Sequence, residues 1–357
     1  MKFYMPTKVF SEINCIASHS AELAALGSHA LIVTGQNSSK LNGSLDDVIN
    51  ALKKHSVAYT VFDRTEENPS VETVMSARDT GLRCGADFVI GIGGGSPLDA
   101  AKAIALMMKN SDKEWDFLYE NVPAGALPLA AVPTTCGTGS EVTGVSVLTR
   151  HDLHTKLSAK HRIFPDIALI DGRYILSAPA KMIVNTATDA LSHFIESGVN
   201  TLADTYSDMI VFAGLAKWAE CRPYIDGSRQ LSEEAAQSLM DTAALAGMSI
   251  AQTGTGIPHS LSYMLTYEAG IPHGPAVGVF LAKYMKYADT NRQKAILSAA
   301  GFTDTDELGK FISELAPVSV SRKLLERSAV CVLANKAKLD ICPYKMTEDI
   351  MADIIDI

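Results

Sequence analysis

The segment NTATDALSH, residues 185–193, puts Asp189 and His193 four residues apart in an otherwise apolar, helix-like run. On a helix that spacing projects both side chains from one face. It is a ligand spacing, but such a pair is usually a hydrogen-bonded pair or a solvated face, so it needs partners elsewhere in the chain. Partners occur in GIPHSLSYMLTYEAGIPHGPAVG, where His259 and His273 each follow a proline, as at the entry of a helix. Three neutral imidazoles and one carboxylate make a donor set for a divalent metal. Taken singly, each histidine is more commonly a satisfied interior residue than a ligand; it is the four pieces together that point to a metal centre.

Two further stretches suit an anion. GGGSPLDAAKAIA begins with Gly93, Gly94 and Gly95 directly after the apolar DFVIGI and continues as a helix, with Ser96 near its start. Glycines let a backbone approach a pyrophosphate, and the open N–H groups of a helix start favour the negative charge. The spacing is neither that of a Walker loop nor GxGxxG. PTTCGTGSEVT, residues 133–143, leaves another apolar run and offers the hydroxyls of Thr134, Thr135, Thr138 and Ser140. By itself it reads equally well as an ordinary Ser/Thr-rich loop.

The elements that must position these residues follow from hydrophobic periodicity. HALIVTG, AYTVFD, DFVIGIGGG, LPLAAVPTT and IALID read as strands, and NGSLDDVINALKKH and SVETVMSARDTGLRCG as helices between them. This alternation predicts βαβ units and a parallel sheet. From about residue 177 the pattern becomes helical to the end. The expected organisation is an α/β domain over residues 1–176 and an all-α domain over 177–357, with the punctuation in DGRYILSAP. Hydrophobic residues make up 47% and charged ones 20% of 357 residues, an ordinary globular composition. A net charge of −9 argues against a nucleic-acid surface and leaves a small molecule as the expected partner. Six scattered cysteines without a CxxC spacing suggest neither a disulfide framework nor a thiolate site, hence a reducing compartment. No apolar leader or membrane-length run is present, so a cytoplasmic location is expected.

In this order, GGGSPLDAAK, PTTCGTGSEVT, DALSHFIES and IPHGPAVGVFL resemble the iron-containing, or group III, alcohol dehydrogenase family. The resemblance implies an N-terminal Rossmann-like dinucleotide-binding domain and an all-α metal domain, the architecture shared with dehydroquinate synthase. An alcohol and an aldehyde would interconvert by hydride transfer in the cleft between the domains. It implies Asp189, His193, His259 and His273 as ligands of the metal, ferrous iron or else zinc. Gly94, Gly95, Ser96 and Asp99 resemble pyrophosphate and ribose contacts, and Thr134, Thr135 and Thr138 the lining of the cofactor channel. Asn68 and Lys156 are further carry-overs. A homodimer joined through the strand-like KFYMPTKVF is also implied.

Two positions depart from the family pattern. Tyr263 stands where many members carry a histidine proposed as a proton relay, and a phenol with an ordinary pKa of about 10 is a poorer acid–base at neutral pH. Nothing in SLSYMLTY supplies a charged neighbour to depress it, so packing against substrate is the favoured reading. After the first Rossmann-type strand, TGQNSSK has Gly35 where NAD-preferring relatives place an aspartate. Without that carboxylate, and with Ser38, Ser39 and Lys40 following, the pattern favours the 2′-phosphate of NADP(H) over NAD(H). Rival readings within the architecture are a glycerol dehydrogenase-like polyol oxidoreductase and a dehydroquinate synthase-like lyase. The lyase needs a basic cluster for its phosphorylated substrate, and TGTGIPHSLSYMLTY has no Lys or Arg.

Overall fold

Runs of Val, Ile, Leu and Ala too short for helices become the strands of a parallel sheet in the computed structural model, which describes residues 3–357. In chain order these are β1 (Lys8–Ser11), β2 (His29–Thr34), β3 (Ala58–Phe62), β4 (Phe88–Gly93) and β5 (Leu129–Pro133). A short antiparallel pair, β6 (Val147–Arg150) and β7 (Thr155–Ser158), precedes the last sheet strand, β8 (Ile167–Ile170). The six-stranded sheet has the order β1-β8-β5-β4-β2-β3, all pairs parallel.

Both faces are covered, so successive residues of a strand enter different cores. Leu31, Val33 and Val89 pack on one side; Ala30, Ile32 and Ile90 pack on the other. Each fully buried Leu, Ile or Val contributes roughly 1.5–3 kcal/mol. From β2 the chain moves outward to β3 and then returns to β4 on the other flank of β2. This reversal is a topological switch point, where the loops at the strand C-termini diverge and leave a crevice. The loops that diverge here begin at Gly35, after β2, and at Gly94, after β4.

The chain forms two compact units, one of residues 5–178 with 231–244, the other of residues 3–4, 179–230 and 245–357. Among the described residues the second unit contains helices only. A single cut at 176/177 therefore differs from the observed division, because residues 231–244 pack with the sheet. Gln237 explains this: its Oε1 accepts from the Gly172 N–H at 2.8 Å and its Nε2 donates to Ser11 Oγ at 2.8 Å.

Other differences have local causes. The strand expected in KFYMPTKVF is confined to Lys8–Ser11, since Pro6 has no N–H to donate; Lys2 lies outside the described residues. The β6–β7 hairpin carries no strand signal in the sequence, because VLTRHDLHTKLS is largely polar and turns through His154 at φ 50°. All six cysteines are free thiols. No helix among the described residues is long and apolar enough to cross a membrane.

Candidate functional site

In the α/β unit, the two sequence-read loops leave neighbouring strands at one level. Gly93 and Pro133 are register partners of β4 and β5, and the Thr134 N–H donates to the Gly93 carbonyl at 2.9 Å. A Cβ on Gly95 would stand 2.8 Å from Thr138 Cγ2, and one on Gly94 would stand 3.1 Å from Thr135 Cγ2. The glycines are thus what lets the threonine loop lie against the glycine loop. Helix Gly95–Lys109 begins here with no side-chain cap and no acid in its first turn, leaving its positive end open.

Asn68, Ser96 and Lys156 also meet in this unit. The Asn68 N–H donates to Ser96 Oγ at 3.0 Å, and Lys156 Nζ donates to Asn68 Oδ1 at 3.1 Å from β7. Asn68 sits at φ 55°, a left-handed conformation that asparagine tolerates better than most residues. Thr149 Oγ1, from β6, donates to its carbonyl at 2.7 Å and holds the turn. The hairpin is therefore the element that brings Lys156 to the glycine loop.

Three expected cofactor contacts have other partners. Asp99 accepts from Ser140 Oγ at 2.6 Å and from the Val147 N–H at 2.9 Å, so both oxygens tie loops together. Ser39 is fully buried, facing inward to Thr34, whose Oγ1 donates to it at 2.8 Å. Lys40 is paired with Asp63 at 2.6 Å. Ser38 alone of the two serines is exposed.

Beneath the threonine loop, the fully buried Lys102 donates to Ser140 Oγ at 2.6 Å, Val145 O at 2.7 Å and Thr143 Oγ1 at 3.2 Å. The neighbouring Glu141 is also buried. Burial pushes its carboxyl up to about 7, partly offset by its own backbone N–H and by the Lys102 ammonium. A carboxyl raised in the folded state costs stability as pH climbs from its ordinary value of 4.5 through about 7. Glu141→Gln should therefore stabilise the protein at pH 8 by on the order of 2–3 kcal/mol and leave it unchanged near pH 4.5. Chemical denaturation at the two pH values checks this; an equal effect at both would contradict it.

The four metal candidates lie together in the helical unit. Asp189 and His193 are one turn apart on helix Ala180–Val199, whose residues 187–199 are all buried. His259 is in the first turn of helix Ile257–Ala269, and His273 opens helix His273–Gly278. A Cβ at Gly274 would stand 1.8 Å from the Asn185 carbonyl oxygen, so only glycine lets this last helix touch the first.

The Nε2 atoms of His259, His193 and His273 stand 3.5, 3.7 and 3.7 Å from the same oxygen, Asp189 Oδ1. The rings cluster accordingly: His193 and His259 are stacked at 4.7 Å, and His259 and His273 are edge-to-face at 5.2 Å. These separations are long for hydrogen bonds. They fit a shared ion, since two ligand atoms about 2.1 Å from one tetrahedral centre stand roughly 3.4 Å apart. Asp189 Oδ1 and His259 Nε2 are buried and have no hydrogen-bond partner among the described residues. Buried polar atoms are rarely left so, and a divalent cation held between them would satisfy both.

The electrostatics are consistent with a cation site. Burial alone raises a carboxyl, yet His193, His273 and His259 hold Asp189 well below the usual carboxylate range. Burial alone lowers an imidazole, yet the Glu196 and Asp189 carboxylates raise His259 to about 9. Glu196 is a site residue that the sequence reading missed. Its Oε1 accepts from His259 Nδ1 at 2.9 Å, which leaves Nε2 facing the cluster. The signal lay in DALSHFIES, a carboxylate one turn beyond His193 in a buried apolar helix.

Residues 6–172 match the family model for iron-containing alcohol dehydrogenase, and residues 183–319 match that for the C-terminal part of the same family. The chain belongs to the iron-containing alcohol dehydrogenase family. This iron-containing alcohol dehydrogenase family member is 31% identical to the NADPH-dependent butanol dehydrogenase of Clostridium saccharobutylicum, over 92% of this chain and 91% of that one. It is 30% identical to a sulfoacetaldehyde reductase of Bilophila wadsworthia, over 77% of this chain and 71% of that one. A crystal structure of an iron-containing alcohol dehydrogenase from Thermotoga maritima superposes with a TM-score of 0.91 at 36% identity, covering 99% of this chain and 98% of that one. The fold class read from the sequence is thus the family's own.

Proposed function

We propose that this protein is a metal-dependent alcohol dehydrogenase or aldehyde reductase acting on a small alcohol or aldehyde with NADP(H). The observation that carries the proposal is the convergence of three imidazole Nε2 atoms, two of them buried, on the buried Asp189 Oδ1. In this reading Asp189, His193, His259 and His273 hold the metal, iron in the first instance and zinc as the alternative. When bound, the metal supplies Lewis acidity toward the substrate oxygen, and the nicotinamide gives or accepts the hydride. Gly94, Gly95, Ser96, Thr134, Thr135 and Thr138 shape the surface for the cofactor, with Asn68 and Lys156 beside Ser96. Asp99 acts by holding the threonine loop in place.

The absence of a carboxylate at Gly35 supports NADP(H), with the exposed Ser38 as the nearby donor, while Lys40 is engaged by Asp63. The NADPH dependence named for the Clostridium relative agrees with it. The test is oxidation of NADPH or NADH with a panel of small aldehydes, using protein purified anaerobically and analysed for metal. Consumption of NADPH without stoichiometric alcohol, or full turnover by metal-free protein, would overturn the reading. A homodimer is part of the same proposal, through β1 at the sheet edge; a monomeric mass in light scattering at micromolar concentration excludes it.

Tyr263 is half-buried, with its ring stacked on that of His273 at 6.5 Å. Packing is the reading favoured here, since the neighbouring sequence SLSYMLTY supplies no charged group to depress the phenol's pKa. Tyr263→Phe should lower kcat by only a few-fold and leave the pH profile unchanged. A loss on the order of 100-fold with a vanished ionisation would instead assign it the acid–base role.

A further inference from the structure

Glu196 lies seven residues beyond Asp189 on helix Ala180–Val199, two turns along the same face, and is completely buried. His259 stands between the two carboxylates, with Nδ1 on Glu196 and Nε2 toward Asp189. Glu196 Oε1 also accepts from the backbone N–H of His259 at 3.0 Å, and Oε2 accepts from the Gly256 N–H. One carboxylate thus holds both the ring and the backbone of the same histidine. It also substitutes for a missing cap, because helix Ile257–Ala269 starts from Gly256 with no side chain to cap it.

Resting on the metal reading above, we infer that Glu196 is a positioning residue of the metal centre. It fixes His259 in the Nδ1–H tautomer and aims Nε2 at the ion. The chemistry admits few substitutes. Three donors converge on Glu196, and a carboxylate has an acceptor oxygen for each side of the group. A glutamine has one acceptor oxygen and an NH2 that must face another donor. Turning the amide either strands the Gly256 N–H or drives His259 toward the opposite tautomer. Either outcome costs more in a buried site than at the surface.

A helix cap alone and a ligand-orienting role differ in what depends on His259. Zinc(II) affinity is measured on the metal-stripped full-length protein by competition with a chelator, for wild type, Glu196→Gln, His259→Ala and the double variant. Glu196→Gln should weaken zinc(II) by about 10–100-fold. The double variant should bind no more weakly than His259→Ala, because the carboxylate acts through that ring. Cobalt(II) in place of zinc should give an altered visible spectrum in Glu196→Gln. A wild-type far-UV circular dichroism spectrum and a single cooperative thermal transition report that the variants, including their helical unit, are folded. If Glu196→Gln does not fold, Glu196→Asp keeps the charge but shortens the reach, and it should show the same loss and spectral change. Unchanged affinity and spectrum, or additive losses in the double variant, overturn the inference while leaving the metal reading intact. No zinc(II) binding by the wild type overturns the metal reading and this inference with it.

Discussion

His273→Ala is expected to lower turnover by on the order of 1,000-fold and to reduce metal content, while cofactor affinity stays near the wild-type value. His273 is the most informative candidate ligand to remove because its side chain is 30% exposed, whereas those of His193 and His259 are 5% and 4% exposed. Its loss opens no large internal cavity, so failure of the variant is not failure to fold. The expected size follows from the several kcal/mol that a bound Lewis acid contributes, each 1.4 kcal/mol being about tenfold in rate. The residues read as cofactor contacts all belong to the other unit, so NADPH binding is an independent measurement on the same sample. Elemental analysis, steady-state rates and cofactor titration together decide it. Wild-type activity in the variant would remove His273 from the site.

Gly35→Asp is expected to weaken NADPH by one to two orders of magnitude and to leave NADH unchanged or tighter. Gly35 follows β2 at the switch point of the sheet, where an adenosine ribose would lie. A carboxylate about 4 Å from a 2′-phosphate repels it by roughly 1 to 4 kcal/mol at a partly exposed site, less in salt. The same carboxylate accepts from the ribose hydroxyls of NADH. Gly35 could instead have been a glycine for the sake of its backbone, in which case both cofactors would suffer equally. The structure speaks against this: Gly35 is not among the positive-φ residues, and a Cβ there meets its nearest atom, the Thr65 carbonyl oxygen, at 3.6 Å. Dissociation constants for both cofactors, wild type against variant, settle the matter. A wild type that prefers NADH would contradict the reading of TGQNSSK.

The sheet was legible because buried parallel strands must be continuous apolar runs, and DFVIGIG and LPLAAVP are nothing else. The metal candidates stood out for the opposite reason: Asp189 and His193 are charged or titratable types within a buried helix. What escaped depends on partners distant in the chain. Glu196 looks like one more helix carboxylate until Gly256 and His259, some sixty residues on, are folded against it. Ser39 resembles Ser38 in sequence, yet Thr34 draws its hydroxyl inward. Asp99 carries a family motif, yet its oxygens serve Ser140 and Val147. The hairpin of Val147–Arg150 and Thr155–Ser158 has too little apolar alternation to be read, although it delivers Lys156.

The contact between Gly274 and the Asn185 carbonyl bears on how this centre can vary. Since a Cβ there would lie only 1.8 Å from that oxygen, every other amino acid at 274 must push helix His273–Gly278 away from helix Ala180–Val199. His273 travels with it, so a residue with no ligand atom of its own governs the spacing of a candidate ligand. Exchanging ligands is then the easy route to a different ion preference, and resizing the cage is the hard one, because its dimension is written in two backbones. A lineage that lost glycine at this position could keep all four candidate ligands and still lose the geometry that brings them together.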